Sequence, residues 1–234
     1  MYHGNVNFKR ARTEEQRTER RRQILRTAAA MLTEMPVAKL SLNELSRRIG
    51  LAKSNVLRYF DSREAVLLDL LDTEIQDWLA GLEHSHRPGE GTPRQRGDRL
   101  AEILATSLTR RPVLCDLVSA QTAVLEHNIS TEVAVRHKHA AKHSMQTLVR
   151  LVLRHVPELG DQGASRVVEL TLLMAAAAWP CDRPSEAMLA AYASDPELAA
   201  MRLDFTDVIR RTVKVTISGV LARQEEAAKA SAAP

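Results

Sequence analysis

The segment LSLNELSRRIGLAKSNVLRYFDSRE, residues 40–64, constrains the fold more than any other part of the chain. Ser41 is an N-cap residue type and Glu44 stands three positions later, the pattern of a capping box. Leu42, Leu45 and Ile49 recur at helical spacing, and Gly50 follows the last of them, where glycine closes a helix. A second short helix is expected over 53–60, with Val56 and Phe60 one turn apart on its inner side. Two short helices joined by a tight glycine turn make a helix-turn-helix.

The outer face of the second helix carries Lys53, Ser54, Asn55, Arg58 and Tyr59. In a DNA-binding helix-turn-helix this helix enters the major groove. Asn can bond adenine through two hydrogen bonds and Arg can do the same to guanine, while cations, hydroxyls and helix N-termini hold phosphates. Ser41 and Asn43 at the start of the preceding helix, and Arg63 just beyond the pair, complete the candidate DNA-binding set. An ordinary helical hairpin with a solvated polar face fits the same pattern.

Charge leans towards a polyanion. The first 64 residues hold 14 Lys/Arg against 7 Asp/Glu, whereas the whole 234-residue chain carries only +4, so the rest is slightly acidic. A solubilising basic tail would give the same imbalance. Seven of the cations, Lys9, Arg10, Arg12, Arg17, Arg20, Arg21 and Arg22, precede or open the first helix. Residues 1–19 are expected to form a basic arm, with NVNFKRAR lacking a buried-helix pattern and disordered in the free protein.

Helical periodicity dominates elsewhere. Helices are expected from Thr13 to Met35, ended by Pro36, over 62–82, 98–110, 112–126, 130–154 and 162–179, over a short 185–192, and from Asp195-Pro196-Glu197 as cap, first-position proline and first-turn acid. Residues 84–98 contain no apolar residue, two prolines and three glycines, and read as a mobile surface loop. Residues 204–223 fit a helix, but TVKVTI alternates like a strand; with no other strand to pair with, helix is the reading. The fold class is therefore all-α, with an N-terminal helix-turn-helix domain at 20–80, a second helical domain at 81–226 and a fraying tail at 227–234.

Several functions are disfavoured. No signal-peptide pattern opens the chain, and the longest uncharged apolar run, 170–181, is too short to span a bilayer. The two cysteines, Cys115 and Cys181, suit a reducing cytoplasm. No phosphate-binding glycine loop, dinucleotide fingerprint or nucleophile elbow is present, so no enzyme and no cofactor is expected. His139 and His143 stand four apart, a metal-ligand spacing without a further ligand pair. A helical metal-binding enzyme or metal sensor built on that pair is the alternative to a DNA-binding protein.

The segment IGLAKSNVLRYFDSREAVL is similar to the signature of the TetR family of transcriptional regulators, with Gly50, Leu51, Val56, Tyr59, Phe60, Ser62 and Glu64 in matching places. RRQILRTAAAML at 21–32 and LSLNELSRRIG resemble the family's first two helices. Leu57 stands where the family has a tyrosine, Ala52 where it has Ser or Thr, and Arg63 where it has lysine.

The resemblance implies a cytoplasmic regulator, most often a repressor. It would bind a palindromic double-stranded operator as a homodimer and be released by a small-molecule effector. It further implies that the last two long helices dimerise, here with Ala176, Val208 and Thr212 as candidate interface residues. Cys115, Met145, Met174 and Trp179 are candidates for the effector pocket, although ordinary core packing would use the same residue types.

Overall fold

The computed structural model describes residues 4–85 and 89–231, with side chains from residue 14 onward and excluding those of 85–88 and beyond 230. Among the described residues every regular element is a helix. The helices are α1 (Gly4–Glu34), α2 (Leu42–Ile49), α3 (Lys53–Val56), α4 (Arg63–Ser85), α5 (Pro93–Thr109), α6 (Pro112–Ala120), α7 (Thr131–His155), α8 (Gly160–Asp182), α9 (Glu186–Ser194), α10 (Pro196–Ala199) and α11 (Phe205–Ser231). A short π-helical stretch, Gln121–Leu125, follows α6, and single 3-10 turns lie at Val37–Lys39 and Pro157–Leu159.

The chain forms two compact units. The first joins the described residues up to Thr73 with Ala120–His137; the second joins Glu74–Ser119 with the described residues from Lys138. In the first unit the core is Ile24, Ala28 and Met31 of α1, Leu45 of α2, Val56, Phe60, and the α4 face of Val66, Leu67, Leu70 and Leu71, all buried. These apolar stripes are too short to hold isolated helices in water, so the three-helix packing itself maintains them. In the second unit α11 packs along α5 and α8. The approach to α5 is close: a Cβ at Gly97 would stand 2.8 Å from Ile217 Cγ2, so any larger residue there must push Ile217 aside.

Several boundaries differ from the expected ones. Helix α1 begins at Gly4 rather than Thr13, so backbone expected to be disordered is helical from Gly4; residues 1–3 of the arm lie outside the described residues. The predicted loop at 84–98 ends early, because Thr92 and Gln95 form a capping box around Pro93 and start α5 there. Residues 86–88 of that loop are outside the described residues. Helix α8 carries Pro180 within its last turn instead of stopping before it. The ambiguous 204–223 segment is helical throughout, since Phe205, Ile209, Val213 and Ile217 bury one face every four residues. No helix among the described residues is long and apolar enough to cross a membrane.

Candidate nucleic-acid interface

Helix α2 is bounded as its sequence demands. Ser41 Oγ accepts the Glu44 backbone N–H at 3.2 Å, and Gly50 adopts φ 73° as the left-handed C-cap. The Gly50 and Leu51 amides return to the Arg47 and Ser46 carbonyls, which ends α2 and turns the chain. Helix α3 then starts at Lys53 after the N-cap Ala52, whose methyl offers no cap, and lasts one turn. From Leu57 to Phe60 the chain continues as bonded turns: the Tyr59 and Phe60 amides both donate to the Val56 carbonyl. The recognition segment is thus shorter as regular helix than the predicted 53–60, because an uncapped four-residue turn has little propensity of its own.

Val56 and Phe60 are buried beneath this segment, so Lys53, Ser54, Asn55, Leu57 and Arg58 face solvent. Tyr59 is half-buried, and Ser41 and Asn43 are exposed at the start of α2. No ion pair among the described residues engages Lys53 or Arg58, whereas Arg47 and Arg48 on α2 are held by Glu44 and Glu34. These guanidiniums hold the Glu44 carboxyl down at about 2. The recognition segment therefore presents two uncommitted cations, one carboxamide and one hydroxyl on a single short turn, which suits a groove of phosphates and base edges.

Arg63 stands elsewhere than the sequence suggests. Its guanidinium is turned inward and donates to the Leu40 and Val37 carbonyls and to Glu64. Each of its three nitrogens bonds within the chain, so it ties α4 to the turn before α2.

Two sets of interactions that sequence reasoning misses fix the recognition segment from behind. Arg21 of α1 donates to the Tyr59 carbonyl, pairs with Asp69 of α4, and lies 4.2 Å over the centroid of the Phe60 ring. From the other side, residues of Ala120–His137 grip the start of α4: Ser130 Oγ donates to Asp61 at 2.9 Å, Asn128 Nδ2 to Glu64 at 3.2 Å, and Arg136 to Asp69 at 3.2 Å. Asn128 adopts φ 54°, a conformation asparagine tolerates better than most residues. His137 is buried and contacts Asp72 and Gln121. The partners are 64 to 69 residues apart for the three hydrogen bonds around α4, and Arg21 sits in an undifferentiated arginine run, so no local pattern signals them.

The remaining candidates fall in the second unit. Cys115 and Trp179 are buried; Arg183 lies 4.0 Å over the Trp179 ring and Phe205 meets it edge-on at 5.0 Å. Burial pushes the Cys115 thiol up to about 12, against a small opposing pull from Arg183. Met145 is half-buried and Met174 is exposed. Among the interface candidates Ala176 and Thr212 are half-buried, but Val208 is 8% exposed and belongs to the protomer's own core. The exposed apolar side chains of α8 and α11 are instead Leu170, Leu173, Met174 and Val215. His139 and His143 are exposed on α7, and no group of three His, Cys, Asp or Glu side chains able to hold a metal occurs among the described residues.

Residues 24–70 match the family described as "Bacterial regulatory proteins, tetR family", and residues 72–224 match "Tetracyclin repressor-like, C-terminal domain". The chain belongs to the TetR family. The boundary of the two matches falls in α4, where the two compact units also part.

Individual relatives agree. The regulator EthR of Mycolicibacterium smegmatis is 30% identical over 94 residues, covering 40% of this chain and 43% of EthR. EthR of Mycobacterium tuberculosis is 41% identical over 52 residues, 22% of this chain and 24% of that protein. The chain thus matches less than half the length of these relatives. A TetR-family regulator from Streptomyces coelicolor shares the fold at 14% identity, with a TM-score of 0.57 over 91% of this chain and 86% of the other. The Bacillus subtilis regulator FadR, solved with stearoyl-CoA, matches at 12% identity and a TM-score of 0.52, over 84% of this chain and 97% of FadR.

Proposed function

We propose that this TetR-family protein is a DNA-binding transcriptional repressor. It acts in the cytoplasm as a homodimer that places one α3 segment in each half of a palindromic operator and leaves the DNA when a small molecule binds its second unit. The observation that carries the reading is the recognition segment itself. Lys53, Ser54, Asn55 and Arg58 are exposed together on one turn, while Arg21 and Arg63 are consumed in holding that turn and the start of α4 in place. A solvated hairpin needs no such internal fastening of its polar face. Asn55 and Arg58 are assigned to base edges, Lys53, Ser54, Ser41, Asn43 and Tyr59 to phosphates.

Dimerisation is assigned to the exposed apolar faces of α8 and α11, in keeping with symmetric association through one shared patch. The effector is assigned to the surroundings of Trp179, whose indole N–H is buried without a hydrogen-bond acceptor among the described residues and whose ring carries Arg183. An acidic apolar molecule matches that pair of groups, and FadR's stearoyl-CoA has this chemistry. Selection of bound duplexes from a random pool tests the reading: paired, inverted half-sites are expected, and recovery of sequences without symmetry would refute it.

A further inference from the structure

We propose that Leu57 is a specificity-determining residue that reads the 5-methyl group of a thymine in the major groove. The inference rests on the reading of residues 53–58 as the turn that enters that groove.

Leu57 is an apolar side chain outside the core. Val56 and Phe60 fill the inner side of the segment, while Leu57 is left 41% exposed. Among the described residues no other large apolar side chain between positions 40 and 64 is exposed. The Leu57 amide donates to the Lys53 carbonyl at 3.0 Å, a bond of helical spacing that sets Leu57 one turn beyond Lys53. Leu57 itself keeps a right-handed helical backbone, φ −65° and ψ −11°. It therefore belongs to the same turn as the exposed Lys53, Ser54, Asn55 and Arg58.

A single exposed leucine is common on a protein surface, so exposure alone decides nothing. The surroundings decide. The other exposed side chains of 53–58 are polar, and each matches a polar group of a duplex, either a phosphate or a base edge. Leu57 has no side-chain donor or acceptor, and its amide is already bonded. It can hold neither a phosphate nor the hydrogen-bonding edge of a base. The base edges of the major groove offer one apolar group, the 5-methyl of thymine. Closing a leucine over that methyl takes apolar surface of both partners out of water. Closing it over the edges of guanine, adenine or cytosine would strip polar groups of their water without replacing the hydrogen bonds. Asn55 favours adenine, so A·T pairs, each bearing one methyl, suit the same turn.

Deoxyuridine tests this cleanly, because it lacks only the 5-methyl and keeps every hydrogen-bonding group of thymine. Each thymine of a selected duplex is replaced in turn, and wild type and Leu57→Ala are titrated with every duplex, which gives a double-mutant cycle. Alanine favours helix and the site is exposed, so the variant should fold, as circular dichroism checks. Wild type should lose ~3–5-fold in affinity at one thymine position of each half-site, the value of one buried methyl, and little at the others. Leu57→Ala should bind thymine and deoxyuridine duplexes equally at that position. A methyl preference that survives in Leu57→Ala would assign the methyl to another residue and overturn the proposal. A variant weakened equally on selected, scrambled and deoxyuridine duplexes would place Leu57 against sugar and backbone, which also overturns it. Wild type that prefers selected over scrambled DNA yet tolerates every deoxyuridine would overturn the Leu57 assignment alone. Wild type with no preference between selected and scrambled DNA would refute the DNA-reading turn on which it rests.

Discussion

The Arg21 guanidinium lies 4.2 Å from the centre of the Phe60 ring, and from that position it reaches both the Tyr59 carbonyl and the Asp69 carboxylate. One side chain of α1 thereby joins the end of the recognition segment to α4. Arg21→Ala should cost ~1–3 kcal/mol of stability, since a charge-assisted hydrogen bond and a cation–π interaction go together and Asp69 keeps, among the described residues, Arg136 as its ion-pair partner. Operator affinity should fall further than affinity for unrelated DNA, because base readout depends on where the segment sits. Urea unfolding and binding measurements on the same variant check both effects; equal loss on both DNAs would place Arg21 on phosphate instead.

Arg63 and Lys53 separate internal from external cations. Lys53→Ala should flatten the salt dependence by about one unit of log–log slope for each phosphate that Lys53 neutralises, with stability unchanged. Arg63→Met should do the reverse: it removes the guanidinium bonds to the Leu40 and Val37 carbonyls and lowers the unfolding temperature, while the salt slope persists. A salt series of binding titrations alongside thermal melts distinguishes the two.

Much of this architecture is readable from residues alone, and its limits have physical causes. Ser41, Gly50 and the spacing of Leu42, Leu45 and Val56 determine α2, the turn and the start of α3 because capping and burial are local. Composition hides the early start of α5: Thr92-Pro93-x-Gln95 is a start signal, but it stands inside a run with no apolar residue. Arg63 shows the other limit. Its charge is visible in sequence, whereas its direction depends on carbonyls 23 and 26 residues away. The resemblance makes Val208 an interface candidate, whereas in the structure it is buried in the core, because α11 buries its Phe205, Ile209 and Val213 face with Val208 at the edge.

The two cysteines should differ sharply in reactivity. Cys115 is buried with its thiol pushed up to about 12, and Cys181 is exposed. Since the thiolate is the reactive form, a thiol reagent at pH 8 should modify Cys181 in the native protein and both residues after denaturation. Native modification of both would show that the Cys115 site opens readily.

Glu44 gives an acid-side signature. Hydrogen bonds from Arg47 and Arg48 lower its carboxyl from 4.5 to about 2. A group whose folded value is depressed stabilises the fold above its unfolded value and loses that contribution as pH falls through the folded one. The support it gives should therefore be full above pH 4.5 and vanish towards pH 2. Thermal melts of wild type and Glu44→Gln should diverge at neutral pH and converge near pH 2; parallel curves would mean that the exposed pair contributes nothing.

The most direct test of the central claim is equilibrium binding of wild type and the Asn55→Ala, Arg58→Ala double variant to a selected palindromic duplex and to its scrambled counterpart. If the two side chains read base edges, each contributes ~1–3 kcal/mol of discrimination, so the double variant should lose at least ~10-fold affinity for the selected duplex. The preference for selected over scrambled duplex should collapse with it, while the fold stays intact by circular dichroism. A double variant that binds the selected duplex as tightly as wild type, with the same preference over scrambled DNA, would contradict the assignment of this turn as the element that reads sequence.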